Sequence, residues 1–177
     1  LKMRTALDWM APDTERIIET GAGWGKTLFN LWLYGAPKHA EFWAFELTQA
    51  GRQAAELLIR HAQSPLQLKT ASFDHYAPDF ACLGQAPKKT AVITHHSLEQ
   101  IPVLGHNWID ALLALPGFDR CIHLEPVGWQ IPTNNWLAED TPQVYERMQQ
   151  IDQENSRFSL KKNQNTNLYP LLRESEQ

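Results

Sequence analysis

The segment Ile17-Ile18-Glu19-Thr20-Gly21-Ala22-Gly23-Trp24-Gly25-Lys26-Thr27 constrains this chain more than any other. A β-branched pair runs into three glycines at alternate positions, and Leu28, Leu31 and Trp32 then recur at helical spacing before Gly35-Ala36-Pro37. Glycine enters the φ > 0 region without a Cβ clash, so the three together allow a tight turn that another group can approach closely. The pattern is strand, glycine turn, helix.

That unit recurs. Residues 1–10 have helical spacing at Leu1, Ala6 or Leu7 and Met10, with Pro12-Asp13 as the stop. Residues 42–45 form a short apolar strand, and in the helix predicted over 49–61 the side carrying Ala50, Ala54, Leu57, Leu58 and His61 is expected to face inward, with Gly51 weakening it. Further strands are expected at 66–71, 91–94 and 121–124. Pro102 is read as opening a helix over 103–115 that covers the sheet with Trp108, Leu112 and Leu115, and Thr141-Pro142 as starting a last helix with Val144, Met148 and Ile151 inward. Short strands alternating with helices give an α/β fold, a three-layer α/β/α sandwich around a mostly parallel, doubly wound sheet. Ligands of such sheets sit beyond the carboxyl ends of the strands. At 177 residues the expectation is one domain, with a core over 14–130 and a C-terminal helix and tail over 140–177.

Charge and cysteine usage narrow the function classes. With 16 Lys+Arg against 20 Asp+Glu the formal charge is -4, far from the concentrated positive charge that nucleic acid demands, so no nucleic-acid partner is expected. Cys82 and Cys121 lie far apart without CxxC spacing, which argues against a disulfide framework or a cysteine-rich zinc site and for a reducing, cytoplasmic setting. The apolar runs fall well short of the ~20 residues of a membrane span, and the first residues lack the shape of a signal peptide, so a soluble, unexported chain is expected. A start at Leu1 suggests trimming from something longer.

Three nucleotide-binding motifs compete for the glycine turn. Gly25-Lys26-Thr27 supplies the end of a P-loop, but Thr20 stands where its first glycine belongs, and Glu19 would repel a polyphosphate. A dinucleotide turn needs GxGxxG, and Lys26 occupies the third glycine's place. Glu19-Thr20-Gly21-Ala22-Gly23-Trp24-Gly25 resembles at every fixed position the (D/E)xGxGxG turn of class I, Rossmann-like S-adenosylmethionine-dependent methyltransferases. Charge favours this third reading independently. The amino-acid end of S-adenosylmethionine has a sulfonium and an ammonium against one carboxylate, so Glu19 attracts it. The glycines let backbone come near, and the helix start offers N–H groups to the ligand carboxylate.

The resemblance covers roughly residues 1–130 and implies a cofactor site of Glu19, Gly21, Ala22, Gly23, Trp24, Glu46, Leu47, Phe73, Asp74 and His95. Glu46 closes the second strand, where an acid accepts hydrogen bonds from both ribose hydroxyls of an adenosine ligand; a solvated glutamate at a helix start is the plainer reading. Asp74 is implied as the acceptor for the adenine amino group, with Phe73 against the purine, although aspartates are also common loop residues. The stretch after the fourth strand, Ser97-Leu98-Glu99-Gln100-Ile101, looks like the family's xxLExI segment, but Gln100 stands where many members have histidine. His95 and His96 are the catalytic candidates, one of them to hydrogen-bond the cofactor or deprotonate an acceptor hydroxyl, with packing roles as the alternative. No metal is expected, because neighbouring histidines on a strand point to opposite faces. Glu125 closes the fifth strand, and Trp24, Trp129 and Trp136 are candidates for the pocket wall.

The family's closing antiparallel pair is not found: residues 156–162 hold one strand-like stretch and 162–167 read as a loop. Either the pair lies beyond Gln177 or the edge is abbreviated, and an open edge would favour a homodimer. No (D/N)PP(Y/F) base-methylation motif follows the fourth strand. The expectation is therefore a methyltransferase acting in line on a small-molecule acceptor, such as a sugar or secondary metabolite. A non-catalytic adenosyl-binding or partner-binding module on the same fold is the alternative, with a P-loop-like nucleotide hydrolase third.

Overall fold

The computed structural model describes residues 2–62, 65–101 and 104–125. Five strands, β1 (Arg16–Thr20), β2 (Glu41–Phe45), β3 (Leu68–Ala71), β4 (Thr90–Thr94) and β5 (Phe118–His123), pair in the order β3-β2-β1-β4-β5, every pair parallel. The chain steps outward from β1 to β3 and then returns to the other side of β1 for β4 and β5. The switch point lies between β1 and β4, where connections depart in opposite directions and leave a crevice above the carboxyl ends. This is the α/β, doubly wound arrangement expected from the alternation of elements.

Strand residues alternate between two cores. Ile17, Phe42, Ala44, Ala91, Ile93 and Ile122 face one side, packed under α1 (Lys2–Asp8), α2 (Lys26–Tyr34) and Ile59 of α3 (Gln49–His61). Ile18, Phe45 and Val92 face the other, against Trp108 and Leu112 of α4 (Asn107–Ala114) and the aromatic loop of Phe73 and Phe80. Ile17, Ile18, Phe42, Phe45, Val92 and Ile93 are all within 1% of full burial, each contributing about 1.5–3 kcal/mol. One irregularity breaks the alternation: Thr90 pairs with Phe118 and Ala91 with Arg120, so Asp119 is an extra residue. The bulge lets Phe118 and Cys121, three apart, pack on the same core.

Several boundaries differ from the sequence reading. The strands expected at 66–71 and 121–124 run instead over Leu68–Ala71 and Phe118–His123, and α4 starts at Asn107 rather than Pro102. A 3-10 turn, Leu98–Gln100, precedes it, and the β3–β4 crossover has only the 3-10 turn Ala81–Leu83.

The inward face of α3 is also rotated. Ala50, Leu57 and His61 are exposed, whereas Ala55 is buried and Ile59 packs on the core. Two contacts set this phase. Thr48 caps the helix by accepting the Gly51 N–H, and Arg52 donates to the carbonyls of Glu46 and Leu47. A Cβ on Gly51 would lie 2.7 Å from Glu46 Cγ, so the glycine marks close packing rather than a weak helix.

Both cysteines are free. Among the described residues no helix is long and apolar enough to cross a membrane. Trp129, Trp136, the helix expected from Thr141 and the stretches at 156–162 and 162–167 lie outside the described residues.

Candidate functional site

The carboxyl ends of β2, β1, β4 and β5 lie in register, with Phe45 beside Thr20, Thr20 beside Thr94 and Thr94 beside His123. The glycine turn folds over this edge, the N–H groups of Gly21 and Ala22 both donating to the Phe45 carbonyl at 2.8 and 3.1 Å. Gly21 has φ +73°, and a Cβ there would lie 2.4 Å from Ser97 Cβ and 3.2 Å from His75 Cε1. The β1 turn and the β4 loop can meet this closely only through glycine. Gly23, at φ +54°, has no atom of the described residues within 4 Å of where a Cβ would stand, so among them the middle of the turn is open. Ala22 is buried, and Trp24 and Leu47 are exposed at the rim.

Beneath the turn lies Glu19, 2% exposed, with no hydrogen-bond partner for Oε2 among the described residues. Thr27 and Leu28, at the start of α2, act to favour its charged form. Burial outweighs them, and repulsion from Glu125 and Glu46 adds to it, so the Glu19 pKa rises to about 8. The site thus holds a desolvated acid with one oxygen unclaimed.

Glu46 is fixed by its surroundings. Oε2 accepts from the Gly23 N–H at 2.9 Å, and Oε1 accepts from the Thr48 N–H and hydroxyl at 2.8 and 2.7 Å. Burial acts to raise its pKa, but the bonds from Thr48 and Gly23 and the charge of Arg52 prevail and hold it below the ordinary value. Glu46 therefore links the glycine turn to the α3 cap and is ionised near neutrality.

Asp74 makes an Asx turn, Oδ1 accepting the Tyr76 N–H at 2.8 Å. Phe73 is buried, its ring packed against Phe45, Phe80 and His75 at centroid distances of 5.1–5.4 Å. Its faces serve the core rather than standing open to a purine.

The two histidines are not equivalent, nor are they on the strand. β4 ends at Thr94, and His96 takes φ +54°, which brings the rings to 4.8 Å at a 53° tilt instead of onto opposite faces. His96 is doubly engaged: Nδ1 donates to Glu99 Oε1 at 3.0 Å and Nε2 accepts from Lys2 Nζ at 2.8 Å. His95 holds only the Thr27 hydroxyl, 3.0 Å from Nδ1, and its Nε2 has no hydrogen bond among the described residues. Burial, then His96 and Lys2, lower the His95 pKa, so the ring is neutral near pH 7. Of the pair, His95 is the one able to exchange a proton.

Three further residues shape the crevice. Glu125 accepts the N–H groups of Ser97 and Leu98 at 3.2 and 3.3 Å, tying the end of β5 to the loop after β4. His123 accepts or donates through Nδ1 to Thr94 Oγ1 at 2.9 Å, and burial lowers its pKa to about 4 against the pull of Glu125. His75 sits over Gly21 with a buried Nε2 that has no partner among the described residues, its pKa likewise lowered to about 4, by burial first. In the sequence Glu125 is marked only as a strand-end acid, and His75, which lies in no strand, is marked only by its position directly after Asp74. Clefts of about 320 and 230 Å³ lie elsewhere, one by Trp32, Lys38 and Lys69, the other by Phe80 and Ala111, and neither borders the glycine turn.

No family model matches the chain, and no curated protein matches it.

Proposed function

We propose that the chain binds S-adenosylmethionine at the β1–β4 switch point and transfers its methyl group to a small acceptor. The observation that carries this reading is the buried Glu19 carboxyl, with Oε2 unpartnered among the described residues beneath a glycine turn that they leave open at Gly23. Glu46 and Glu125 add negative potential, so the crevice favours a ligand with a cationic end. A nucleoside polyphosphate would bring like charge to Glu46 and Glu125 and offer no cation to the buried Glu19. The Thr27 hydroxyl of the P-loop-like ending is engaged with His95 Nδ1 at 3.0 Å, not free for a metal-bound phosphate.

In this reading the donor's ammonium meets Glu19 Oε2, and its ribose lies toward Glu46 at the end of β2. Trp24 and Leu47 supply exposed apolar surface at the rim. Methyl transfer is an in-line displacement in which alignment supplies much of the acceleration. When the nucleophile is a hydroxyl or protonated amine, His95 Nε2 takes its proton, worth about 10²–10⁴-fold.

Equilibrium titration with S-adenosylhomocysteine tests the donor site. Saturable binding by the wild type, weakened at least tenfold in Glu19→Gln and in Glu46→Ala, is the expected result. Absence of binding, or binding indifferent to both substitutions, refutes the assignment.

A further inference from the structure

The amino ends of the strands carry more positive charge than their acids cancel, in a chain whose formal charge is -4. Glu41, at the start of β2, takes three cations: Lys88 and Lys69 meet Oε1 at 3.0 and 3.1 Å, and the Arg16 Nε meets Oε2 at 3.3 Å. One carboxylate offsets one of them, and the buried Arg16 Nη1 has no partner among the described residues. Lys38 is a fourth cation. Its Nζ lies 3.9 Å from the centre of the Trp32 ring and donates to the Trp32 carbonyl, and it pairs with no acid among the described residues. Lys89, next along the edge, is balanced by Asp13 at 2.7 Å, and the Glu15 carboxylate accepts the Lys89 N–H. Arg16, Lys38, Lys69, Lys88 and Lys89 thus stand against Asp13, Glu15 and Glu41, a surplus of two positive charges.

The cleft of about 320 Å³ opens at this edge. Lys38, His39, Glu41 and Lys69 line it, with the half-buried Trp32 and the exposed Pro65 as its accessible apolar wall. Its volume is that of a small-molecule site, roughly 300–1,000 Å³. We propose that this cleft binds a small phosphate monoester, the phosphate between Lys38 and Lys69 and the organic part against Trp32 and Pro65. The cleft does not border the glycine turn, so the inference is independent of the methyl-donor reading.

Charge and geometry select the phosphate. A phosphate monoester carries close to two negative charges near neutrality, matching the surplus at the edge, whereas a carboxylate brings one. Lysine ammonium groups are compact point charges that meet a phosphate from any direction. The guanidinium that would fork onto a carboxylate, Arg16, is buried and committed to Glu41. Glu41 is a weak source of repulsion, because Arg16, Lys69 and Lys88 already hold its carboxylate. A nucleic-acid backbone would extend past this edge onto a molecule of net negative charge, while a ligand small enough for the cleft meets only the cations.

Nitrogen–proton correlation NMR of the labelled chain, titrated with phenyl phosphate near neutral pH at fixed ionic strength, reads the site without reference to turnover. The Trp32 indole and the amides of Lys38, His39 and Lys69 are expected to shift saturably, with Gly21, Gly23 and Gly25 unmoved. Lys38→Gln and Lys69→Gln should each weaken binding roughly threefold, and the double substitution roughly tenfold. Arg4→Gln, which removes the same charge from an exposed position on α1, should leave it unchanged. If Lys69→Gln unfolds through loss of its Glu41 pair, Lys38→Gln, which breaks no ion pair among the described residues, decides alone. Benzoate, with the same ring and one charge, should bind about tenfold more weakly than phenyl phosphate. Shifts that do not saturate, equal losses in Arg4→Gln, benzoate bound as well as phenyl phosphate, or shifts centred on the glycine turn overturn the inference.

Discussion

A carboxyl that ionises at about 8 in the folded chain and at 4.5 when unconstrained works against folding over the interval between those values. Above pH 4.5 the unfolded chain releases the Glu19 proton while the native chain retains it, so native stability falls as pH rises toward 8 and then levels off. Each pKa unit corresponds to about 1.36 kcal/mol. Glu19→Gln removes the titration, and its unfolding free energy relative to wild type, read from urea melts, should improve between pH 5 and pH 8.5 by an amount on the order of 1–3 kcal/mol. The same substitution should weaken ligand binding, so stability and affinity move in opposite directions. That opposition separates a binding group from a structural one. The place of Glu19 near the end of β1, under the glycine turn, was legible in the sequence because a β-branched pair precedes it and three alternating glycines follow. His75 was not: its place over Gly21 arises where the β3–β4 crossover packs against the turn, and no local pattern encodes that contact.

At the level of elements, spacing located every described strand and helix and was poorest where tertiary contacts set the phase. The periodicity of residues 49–61 admits several inward faces; Thr48, Gly51 and Arg52 choose the one with Ala55 and Ile59. The histidine geometry had the same weakness. Reading His95 and His96 as strand residues puts their rings apart, whereas ending β4 at Thr94 and turning at His96 brings them together. Glu125 holds that turn. Glu125→Ala leaves the N–H groups of Ser97 and Leu98 without their acceptor, a loss of about 1–3 kcal/mol. Amide exchange of Ser97 and Leu98 should accelerate far more than that of β1. Because Glu125 raises the pKa values of His75 and His123, both histidines should titrate lower still in the variant, as their proton NMR shifts would report.

Across the whole molecule, the two ends of the sheet are charged differently. At the amino ends Arg16, Lys69 and Lys88 converge on Glu41 at 3.0–3.3 Å. Burial acts to raise the Glu41 pKa, but the three cations overcome it and lower the value to about 2. The stability these pairs provide is complete above pH 4.5 and is lost as the pH falls from there toward 2. Glu41→Gln should destabilise the fold at pH 7 by about 2 kcal/mol, less than the ~3–5 of a wholly buried pair because a quarter of Glu41 is exposed. The gap from wild type should close in urea melts between pH 4.5 and 2.

The carboxyl ends gather acids instead, with Glu46 and Glu125 close enough to act on the buried Glu19, and this yields the most discriminating test of what binds there. If the ligand's ammonium is the partner of Glu19 Oε2, an analogue of S-adenosylhomocysteine lacking only the amino group should lose a charge-assisted hydrogen bond of about 1.5–3 kcal/mol, roughly 10–150-fold in affinity. Glu19→Gln should lose a comparable amount toward the parent ligand. Toward the deaminated analogue it should lose almost nothing, because both changes delete one contact and their effects cannot add. Additive losses would place the ammonium elsewhere in the crevice and leave the unclaimed oxygen of Glu19 to a different cation.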